Sequence, residues 1–294
     1  MRVLLLTPWD NAWVPLFRRE VENRGGEFAL AKNWNGVSKH DIVIHGWASG
    51  ATHPVPGATN IMFMRRYELF AGGMGMVDWK KIDHLICVNT WIAGVAKNTF
   101  KEMGVTTPIS VIYNAADTGK WTFKQRTGNH RIGMACHIHP KKNLPLALQI
   151  LAELPEKYEL HIAGQVQDPC TAEYLNHIAK RMRRAVYLYG HVDDLNEWWE
   201  TMGCCLSTSL SEGNPNNVIE AMAKGIKPVV HRWPGAEVQF PPECLFTTAK
   251  GAADIITRPS YESIAYRQWV DVNYSDKNIK KVVDMAVGKI AKAA

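Results

Sequence analysis

The sequence has 294 residues, 46% of them hydrophobic, so it is long enough for one large or two medium domains with full cores. No run approaches the roughly 20 apolar residues of a membrane span. The six cysteines form no C-x-x-C pair, which argues against a disulfide scaffold or a cysteine metal site. We therefore expect a reduced, cytoplasmic protein. The net charge of +6 suits phosphate-bearing ligands or an anionic surface, although ordinary surface lysines explain it equally well.

The N-terminal part alternates short apolar runs with amphipathic stretches, a pattern typical of parallel sheets covered by helices. Residues 48–80 are rich in Gly and are the segment that the pattern defines least; 48–60 in particular is expected to be a loop. A polar segment at 118–130 is interpreted as the domain linker. The predicted strands are 2–6, 41–45, 85–88 and 110–113, and the predicted helices are 13–23 and 90–103.

A second alternating series begins at Arg131, and it predicts another parallel sheet with helices. Its last stretch, 260–293, is amphipathic and rich in lysine. The predicted strands are 132–136, 159–163, 186–188, 204–207, 228–231 and 245–246, and the predicted helices before the last stretch are 144–154, 172–183, 194–202 and one that begins at 215 and stops before Gly225. The fold class is therefore α/β.

The most informative segment is 211–225, Ser-Glu-Gly-Asn-Pro-Asn-Asn-Val-Ile-Glu-Ala-Met-Ala-Lys-Gly. Asn214 is a good N-cap and Pro215 suits the first helical position, while Gly225 ends the helix. Glu212 then lies in the loop at the start of the helix, and Glu220 lies more than one turn inside it. Because the first N–H groups of a helix can bind an anion, one pocket could hold a phosphate beside two carboxylates that accept hydrogen bonds from hydroxyls. A sugar nucleotide has both kinds of group.

This segment closely resembles the E-x7-E motif of the retaining glycosyltransferases of family 4, which have the GT-B fold. Other matches follow in order over about residues 83–246: Val111-Ile112-Tyr113-Asn114, the lysine loop His139-Pro140-Lys141-Lys142-Asn143-Leu144, 160–164, 186–190 and Pro234-Gly235-Ala236-Glu237. The resemblance implies two Rossmann-like domains that face each other across a cleft. We place an acceptor-side domain at 1–122 and a nucleotide-sugar-binding domain at 123–262. Residues 263–294 then form a helix that either crosses back to the first domain or covers the second.

The resemblance also implies roles for individual residues. Glu212, Lys142 and His45 are the candidate catalytic residues, with Lys142 stabilising the diphosphate. His45 could instead be a buried, hydrogen-bonded histidine. The remaining donor-binding candidates are His137, Val192, Gly213, Asn214, Asn216, Asn217 and Glu220, the last of these for the ribose hydroxyls.

The chain departs from the family pattern at two places. The family usually has an arginine at the position of His137, so either His137 serves as an imidazolium or an arginine is supplied from elsewhere, with Arg131 and Arg232 as weak candidates. The family's first Gly-Gly loop is replaced by residues 7–11, where Trp9 and Asp10 are guesses for acceptor contact. Trp198-Trp199 is interpreted as core packing, and Arg65-Arg66 as a solvated basic surface.

The resemblance therefore implies a retaining transferase that needs no metal and no cofactor. The expected donor is a UDP-sugar first and a GDP-sugar second. The expected acceptor is a polysaccharide, a lipid-linked sugar or another glycoconjugate, with peripheral membrane contact allowed. One alternative is a phage-type transferase acting on hydroxylated bases in DNA. Another is a sugar-nucleotide-binding module without catalysis. A dehydrogenase is set aside because the sequence lacks G-x-G-x-x-G.

Overall fold

The computed structural model describes residues 1–7, 13–33, 40–47, 53–70 and 73–293. The chain divides into two compact units. Unit 1 combines Met1–Asp117 with the segment that begins at Tyr274, and unit 2 spans Thr118–Asn273. Each unit is a parallel six-stranded sheet with helices, so the predicted α/β class is confirmed.

The four inner strands of the unit 1 sheet are apolar runs that are buried on both faces, as parallel strands between helices require. The strand order is β2-β1-β3-β4-β5-β6, and every described pair is parallel. Three helices of its N-terminal portion are α1 (Val14–Asn23), α2 (Arg66–Phe70) and α3 (Thr90–Met103). The strands are β1 (Arg2–Leu6), β2 (Glu27–Ala31), β3 (Ile42–His45), β4 (Thr59–Met64), β5 (His84–Cys87) and β6 (Ile109–Val111).

Two strands of unit 1 were not predicted from the sequence. The strand β2 lies at the sheet edge, and its residues are only partly buried, so its apolar pattern is weak. The strand β4 lies within the least certain segment, where the Gly- and Pro-rich residues before it favoured a loop; residues 48–52 of that loop lie outside the described part of the chain. Tertiary pairing with β3 and β5 makes β4 a central, buried strand.

Arg65 corrects the interpretation of Arg65-Arg66 as a solvated surface. It follows β4 directly and is only 9% exposed. Its guanidinium lies 5.0 Å from the ring centroid of Trp13 and 5.2 Å from that of Trp47, and Nη1 donates to Asn114 Oδ1 at 3.1 Å. Burial lowers the pKa of Arg65 to about 10. Aromatic faces, neutral oxygens and the charge of the buried Glu68 carboxylate therefore stabilise this cation inside unit 1.

The sheet of unit 2 has the order β12-β11-β10-β7-β8-β9, again with parallel pairs. The strands are β7 (Arg131–Ala135), β8 (Glu159–Ala163), β9 (Val186–Gly190), β10 (Cys204–Ser207), β11 (Lys227–His231) and β12 (Leu245–Phe246). The helices are α4 (Leu144–Glu153), α5 (Pro169–Met182), α6 (Leu195–Glu200), α7 (Asn216–Ala223), α8 (Ala249–Thr257) and α9 (Ser263–Asn273). Trp198 and Trp199 are both buried, as core packing requires.

The C-terminal stretch is two helices rather than one. The first, α9, belongs to unit 2, and Arg267 on it donates to the Ala223 carbonyl at the end of α7, at 3.1 Å. The second, α10 (Lys277–Ala293), belongs to unit 1. Its apolar face carries Ile279, Val282 and Val283, which are buried in the same core cluster as β1 and β3. The chain therefore returns to unit 1 at Tyr274.

The predicted linker at 118–130 is part of unit 2. Its main chain and side chains are bound at the end of α7, where Lys224 is fully buried. Lys224 Nζ pairs with Glu200 Oε1 at 2.5 Å, and Glu200 Oε2 accepts from Lys124 at 2.8 Å and from Arg126 at 3.2 Å. A buried ammonium needs such a counter-charge. The charges of four residues therefore fix this segment to the α6–α7 end of unit 2.

Replacing Glu200 with alanine is expected to lower the free energy of unfolding by about 2 kcal/mol, because Lys224 then keeps only neutral hydrogen-bond partners. Burial opposes ionisation of Glu200, but the three cations outweigh it and lower its pKa to about 2. The stabilisation is therefore present above pH 4.5 and is lost as pH falls toward 2. Urea unfolding of the variant beside exposed Glu197→Ala checks this. Equal midpoints would contradict it.

No helix in the described part of the chain is both long enough and apolar enough to span a bilayer. The six cysteines are free thiols, and Cys204 and Cys205 are buried in β10.

Candidate functional site

A cavity of about 410 Å³ opens at the carboxyl ends of β7 and β8 in unit 2, beside the start of α7. Ligands bind at this edge in open parallel sheets. It is lined by Ala135, Cys136, His137, Lys142, Ala163, Gly164, His191, Val192, Leu195, Glu212, Asn214, Pro215, Asn216, Asn217 and Glu220. The cavity therefore contains most of the residues that the sequence singled out.

The motif helix begins one residue later than predicted. Pro215 is its N-cap and Asn216 its first residue, and no side chain caps the first turn. The Asn214 side chain donates to Asn216 Oδ1 at 2.7 Å instead, because Pro215, with φ of −80° and ψ of 84°, is not helical and itself occupies the N-cap position. Gly225 ends the helix as predicted, with a left-handed φ of 80°. The N-terminus of α7 thus faces the cavity without a side-chain acceptor.

The lysine loop is a single 3₁₀ turn, Pro140–Lys142, that ends at Asn143 with φ of 49°. Two hydrogen bonds fasten it to the loop after β10. Thr208 Oγ1 donates to the Lys142 carbonyl at 2.7 Å, and the Leu210 N–H donates to the Lys141 carbonyl at 3.0 Å. The lysine ammonium groups are therefore held at a defined distance from the motif.

Glu212 is the centre of the polar network. Its carboxylate is 7% exposed and accepts three hydrogen bonds. Oε1 accepts from Lys142 Nζ at 2.6 Å and from Ser209 Oγ at 2.8 Å, and Oε2 accepts from Lys141 Nζ at 3.2 Å. Burial alone would raise the pKa of Glu212, but the two ammonium groups outweigh it and hold the pKa below its usual value. Glu212 is therefore an ionised carboxylate inside the cavity.

Glu220 has the opposite environment. Burial raises its pKa to about 7, and the Lys120 ammonium group opposes this shift. No hydrogen bond or ion pair to its carboxyl group is formed by the residues that the structure describes. Two carboxyl groups of one motif thus differ in ionisation because two lysines pair with Glu212, whereas burial without a paired cation acts on Glu220.

Gly164 directly follows β8. Because it has no side chain, the segments that follow β7 and β8 can approach each other at the cavity wall. Its φ is 152°, and a Cβ at this position would lie 2.1 Å from the Cys136 carbonyl oxygen. The Gly164 N–H also donates to the Gly190 carbonyl. Any larger residue would therefore push β7 and β8 apart at the floor of the cavity.

The predicted donor-side residues are brought together, with one neighbour just outside the wall. Lys142, Glu212 and Glu220 line the cavity with the other candidates His137, Val192, Asn214, Asn216 and Asn217. Gly213 lies between two lining residues and is buried. His137 is exposed at the rim.

His45 lies elsewhere. It ends β3 in unit 1, where it is fully buried, and its Nε2 is 3.0 Å from Asn60 Oδ1. This contact fits the alternative of a buried, hydrogen-bonded histidine, and a donor-sugar role for His45 stays a prediction. Trp9 and Asp10 lie outside the described residues.

Neither arginine considered as a replacement at position 137 lines the cavity. Arg131 begins β7, so it lies at the amino end of the strand, and its Nη2 is 3.5 Å from Tyr189 Oη. Arg232 pairs with Glu237 at 3.6 Å. Among these three candidates, only His137 is at the cavity.

Lys141 and Ser209 are functional candidates for which no role was predicted from the sequence. Lys141 was visible only as a neighbour of Lys142, and Ser209 only as a serine three residues before Glu212. Their contacts with the carboxylate depend on how two loops meet, which spacing does not reveal. Across the described residues, no group of three or more His, Cys, Asp or Glu side chains is arranged to hold a metal ion.

Comparison with known proteins gives a family model and a set of folds. Residues 129–258 match the family model "Glycosyl transferases group 1". No curated protein matches the chain. The matched segment lies within unit 2 and includes every residue that lines the cavity.

Several solved structures share the fold of the chain. HepE from Anabaena in complex with UDP has 12% identity and a TM-score of 0.77, over 98% of this chain and 100% of that chain. Sucrose-phosphate synthase from Thermosynechococcus elongatus has 11% identity and a TM-score of 0.78, over 100% of both chains. A glycosyltransferase from Rickettsia africae has 13% identity and a TM-score of 0.71, over 100% and 99%. The fold is that of the GT-B glycosyltransferases, and together with the family model it supports a glycosyltransferase.

Proposed function

We propose that this chain is a retaining glycosyltransferase that moves a sugar from a nucleoside-diphosphate sugar to an acceptor hydroxyl. The observation that carries the proposal is the arrangement of Lys142, Glu212 and Glu220 around one cavity at the start of α7. A cation, an ionised carboxylate and a second carboxyl group match the three parts of such a donor, namely diphosphate, sugar and ribose.

The donor is proposed to be a UDP-sugar, with a GDP-sugar as the second choice. HepE, which shares the fold, has been crystallised with UDP and with UDP-glucose. Glu220 would accept hydrogen bonds from both ribose hydroxyls, and Val192, which lines the cavity, would contact the base. The Asn216 end of α7 and Lys142 would contact the diphosphate. His137, exposed at the rim, would take the place of the family's arginine.

The reaction breaks the bond between the sugar C1 and the diphosphate oxygen and forms a bond from C1 to the acceptor oxygen on the same face. The departing phosphate oxygen takes the acceptor proton. Lys142 stabilises the negative charge that develops on that oxygen, and Glu212 holds the sugar hydroxyls. The charge stabilisation comes from side chains and from the helix N-terminus, so the proposed reaction uses neither a metal nor another cofactor.

The proposed acceptor is a polysaccharide, a lipid-linked sugar or another glycoconjugate. Hydroxylated bases in duplex DNA are the alternative, which the net charge of +6 permits. The two acceptors separate by salt dependence, because duplex binding weakens steeply with added salt and glycan binding does not. Transfer rates measured between about 50 and 200 mM salt distinguish the two acceptors, because the affinity of a protein for duplex DNA falls steeply over this range.

The test of the proposed function is a screen of UDP-, GDP-, ADP- and TDP-sugars for thermal stabilisation and for sugar release. One nucleotide should raise the melting temperature, and its sugar should be released slowly to water without an acceptor. Proton NMR of the first-formed sugar should show the anomeric configuration of the donor. Stabilisation without any release would instead indicate a binding module, and an inverted product would contradict retention.

A further inference from the structure

If the proposed function holds, on which this inference rests, the Lys142 ammonium group interacts with two partners, Glu212 and the donor diphosphate. In this structure its ammonium group is 2.6 Å from Glu212 Oε1. A donor diphosphate carries at least two negative charges and attracts the same ammonium group. Lys142 therefore cannot neutralise the diphosphate fully while it remains the principal partner of Glu212.

Loss of Lys142 would leave Glu212 poorly compensated. Its carboxylate is 7% exposed, and a diphosphate nearby would add like charge. Burial and like charge both favour the protonated carboxyl form, which accepts hydrogen bonds from sugar hydroxyls less well. Some other group must therefore keep Glu212 ionised and fixed in the donor complex.

Lys141 and Ser209 have the required geometry. Lys141 Nζ contacts Oε2, the carboxylate oxygen that Lys142 does not use, at 3.2 Å. Ser209 Oγ donates to Oε1 at 2.8 Å. Lys142 lines the cavity, whereas Lys141 is not among the lining residues.

The backbone carbonyls of Lys141 and Ser209 each accept a hydrogen bond from a neighbouring segment. The Lys141 carbonyl accepts the Leu210 N–H at 3.0 Å, which joins the lysine loop to the loop that carries Ser209. The Ser209 carbonyl accepts from His231 Nδ1 at 3.0 Å, at the end of β11. The main chain that carries both groups is thus anchored by two hydrogen bonds in which the Lys142 side chain takes no part.

We propose that Lys141 and Ser209 are positioning residues that keep Glu212 ionised and in place while Lys142 changes its partner from Glu212 to the donor diphosphate. The two neighbouring lysines, Lys141 and Lys142, then have different roles. Lys142 acts on the leaving group, and Lys141 acts on the carboxylate that holds the sugar. Two lysines and one carboxylate leave one positive charge for the diphosphate.

The test compares Lys141→Met, Lys142→Met and the exposed control Lys250→Met. Lys250 is exposed and pairs with Asp254 on the surface of α8. Lys141→Met should retain the thermal stabilisation by UDP, and Lys142→Met should lose most of it. With the complete UDP-sugar, Lys141→Met should lower kcat about 10-fold at neutral pH. Lys250→Met should match the wild type in both measurements.

The pH profile separates positioning from a merely structural role. Loss of a cation raises the pKa of Glu212. As the pH is lowered, activity that needs the carboxylate should therefore be lost at a higher pH than in the wild type. The acidic limb of kcat should move up by about one pH unit in Lys141→Met, and Lys141→Arg should restore it. Ser209→Ala should lower kcat about fivefold. The other ionisable groups near Glu212, Cys136, His137, His191 and Glu220, are unchanged in every variant.

Three results would overturn this assignment. An unshifted acidic limb with normal kcat in Lys141→Met would show that Glu212 does not need Lys141. Loss of UDP stabilisation in Lys141→Met, to the level of Lys142→Met, would make Lys141 a diphosphate ligand instead. A wild-type protein that releases no sugar from any donor would contradict the proposed function itself, a failure distinct from the first two.

Discussion

Replacement of Lys142 with alanine is expected to lower kcat about 100-fold, the usual loss when one group that stabilises developing charge is removed. The Lys142 ammonium group lines the cavity and is held by the Pro140–Lys142 turn, which Thr208 fastens to the motif loop at 2.7 Å. Negative charge grows on the diphosphate oxygen as the C1–O bond breaks. The effect should therefore be larger on kcat than on donor KM.

A second consequence of Lys142→Ala concerns Glu212, which loses its 2.6 Å partner. The pKa of Glu212 should rise. As the pH is lowered, the remaining activity should therefore be lost at a higher pH than in the wild type. Initial rates of sugar release between pH 5 and 9, with exposed Lys250→Ala as the matched control, measure both effects. A variant with the wild-type kcat would show that Lys142 does not act on the leaving group.

Replacement of Glu220 with alanine is expected to weaken UDP binding about 100-fold, because two hydrogen bonds from ribose hydroxyls to a buried carboxylate are lost. Glu220 lines the cavity, and no lysine among the described residues forms an ion pair with its carboxyl group. The same variant should bind free phosphate as the wild type does, since the diphosphate contacts stay. Equal UDP affinity in the two proteins would exclude Glu220 as a ribose ligand.

The pH dependence of UDP binding follows from the raised pKa of Glu220. Burial raises this pKa to about 7, so the carboxyl group is largely protonated at pH 6 and largely ionised at pH 8. Ribose hydroxyls donate most strongly to the ionised form. UDP affinity should therefore rise with pH through about 7, and binding should release a proton. Glu220→Gln should remove this dependence, and a dependence that survives in Glu220→Gln would assign it to another group.

The raised pKa also affects the stability of the protein without ligand. A group whose folded-state pKa exceeds its unfolded value binds more protons in the folded state. The contribution of Glu220 to the free energy of unfolding is therefore full below pH 4.5 and is lost as pH rises to about 7. Glu220→Gln should be more stable than the wild type at pH 8, and the difference should shrink at pH 5.

How far the sequence predicts this fold depends on the segment. In unit 2 the apolar runs are short, bounded by polar residues and separated by clear helical stretches, so β7, β8, β10 and β11 lie within a residue of their predicted bounds. In unit 1, β4 was missed because a loop-like composition precedes it, and its strand form depends on neighbours that are distant in sequence. Arg65 was misread for the same reason, since the rings that bury it come from other elements.

The site divides in the same way. The motif spacing predicts that Glu212 and Glu220 share one pocket, because a loop followed by a helix start fixes their separation. The spacing does not predict that Glu212 is paired with Lys141 and Lys142 while Glu220 has a raised pKa. Those properties come from the approach of the Pro140–Lys142 turn and from burial. The one-residue shift of the N-cap from Asn214 to Pro215 likewise depends on backbone angles.

The measurement that tests the central claim most directly is isothermal titration of UDP into the wild type, Glu220→Ala, Lys142→Ala and the surface control Lys250→Ala. The claim is that the cavity beside α7 is the donor site. We expect one site per chain in the wild type and the control, with much weaker binding in both cavity variants. Equal binding in all four proteins would place the nucleotide elsewhere, and no binding in any of them would contradict a UDP-sugar donor.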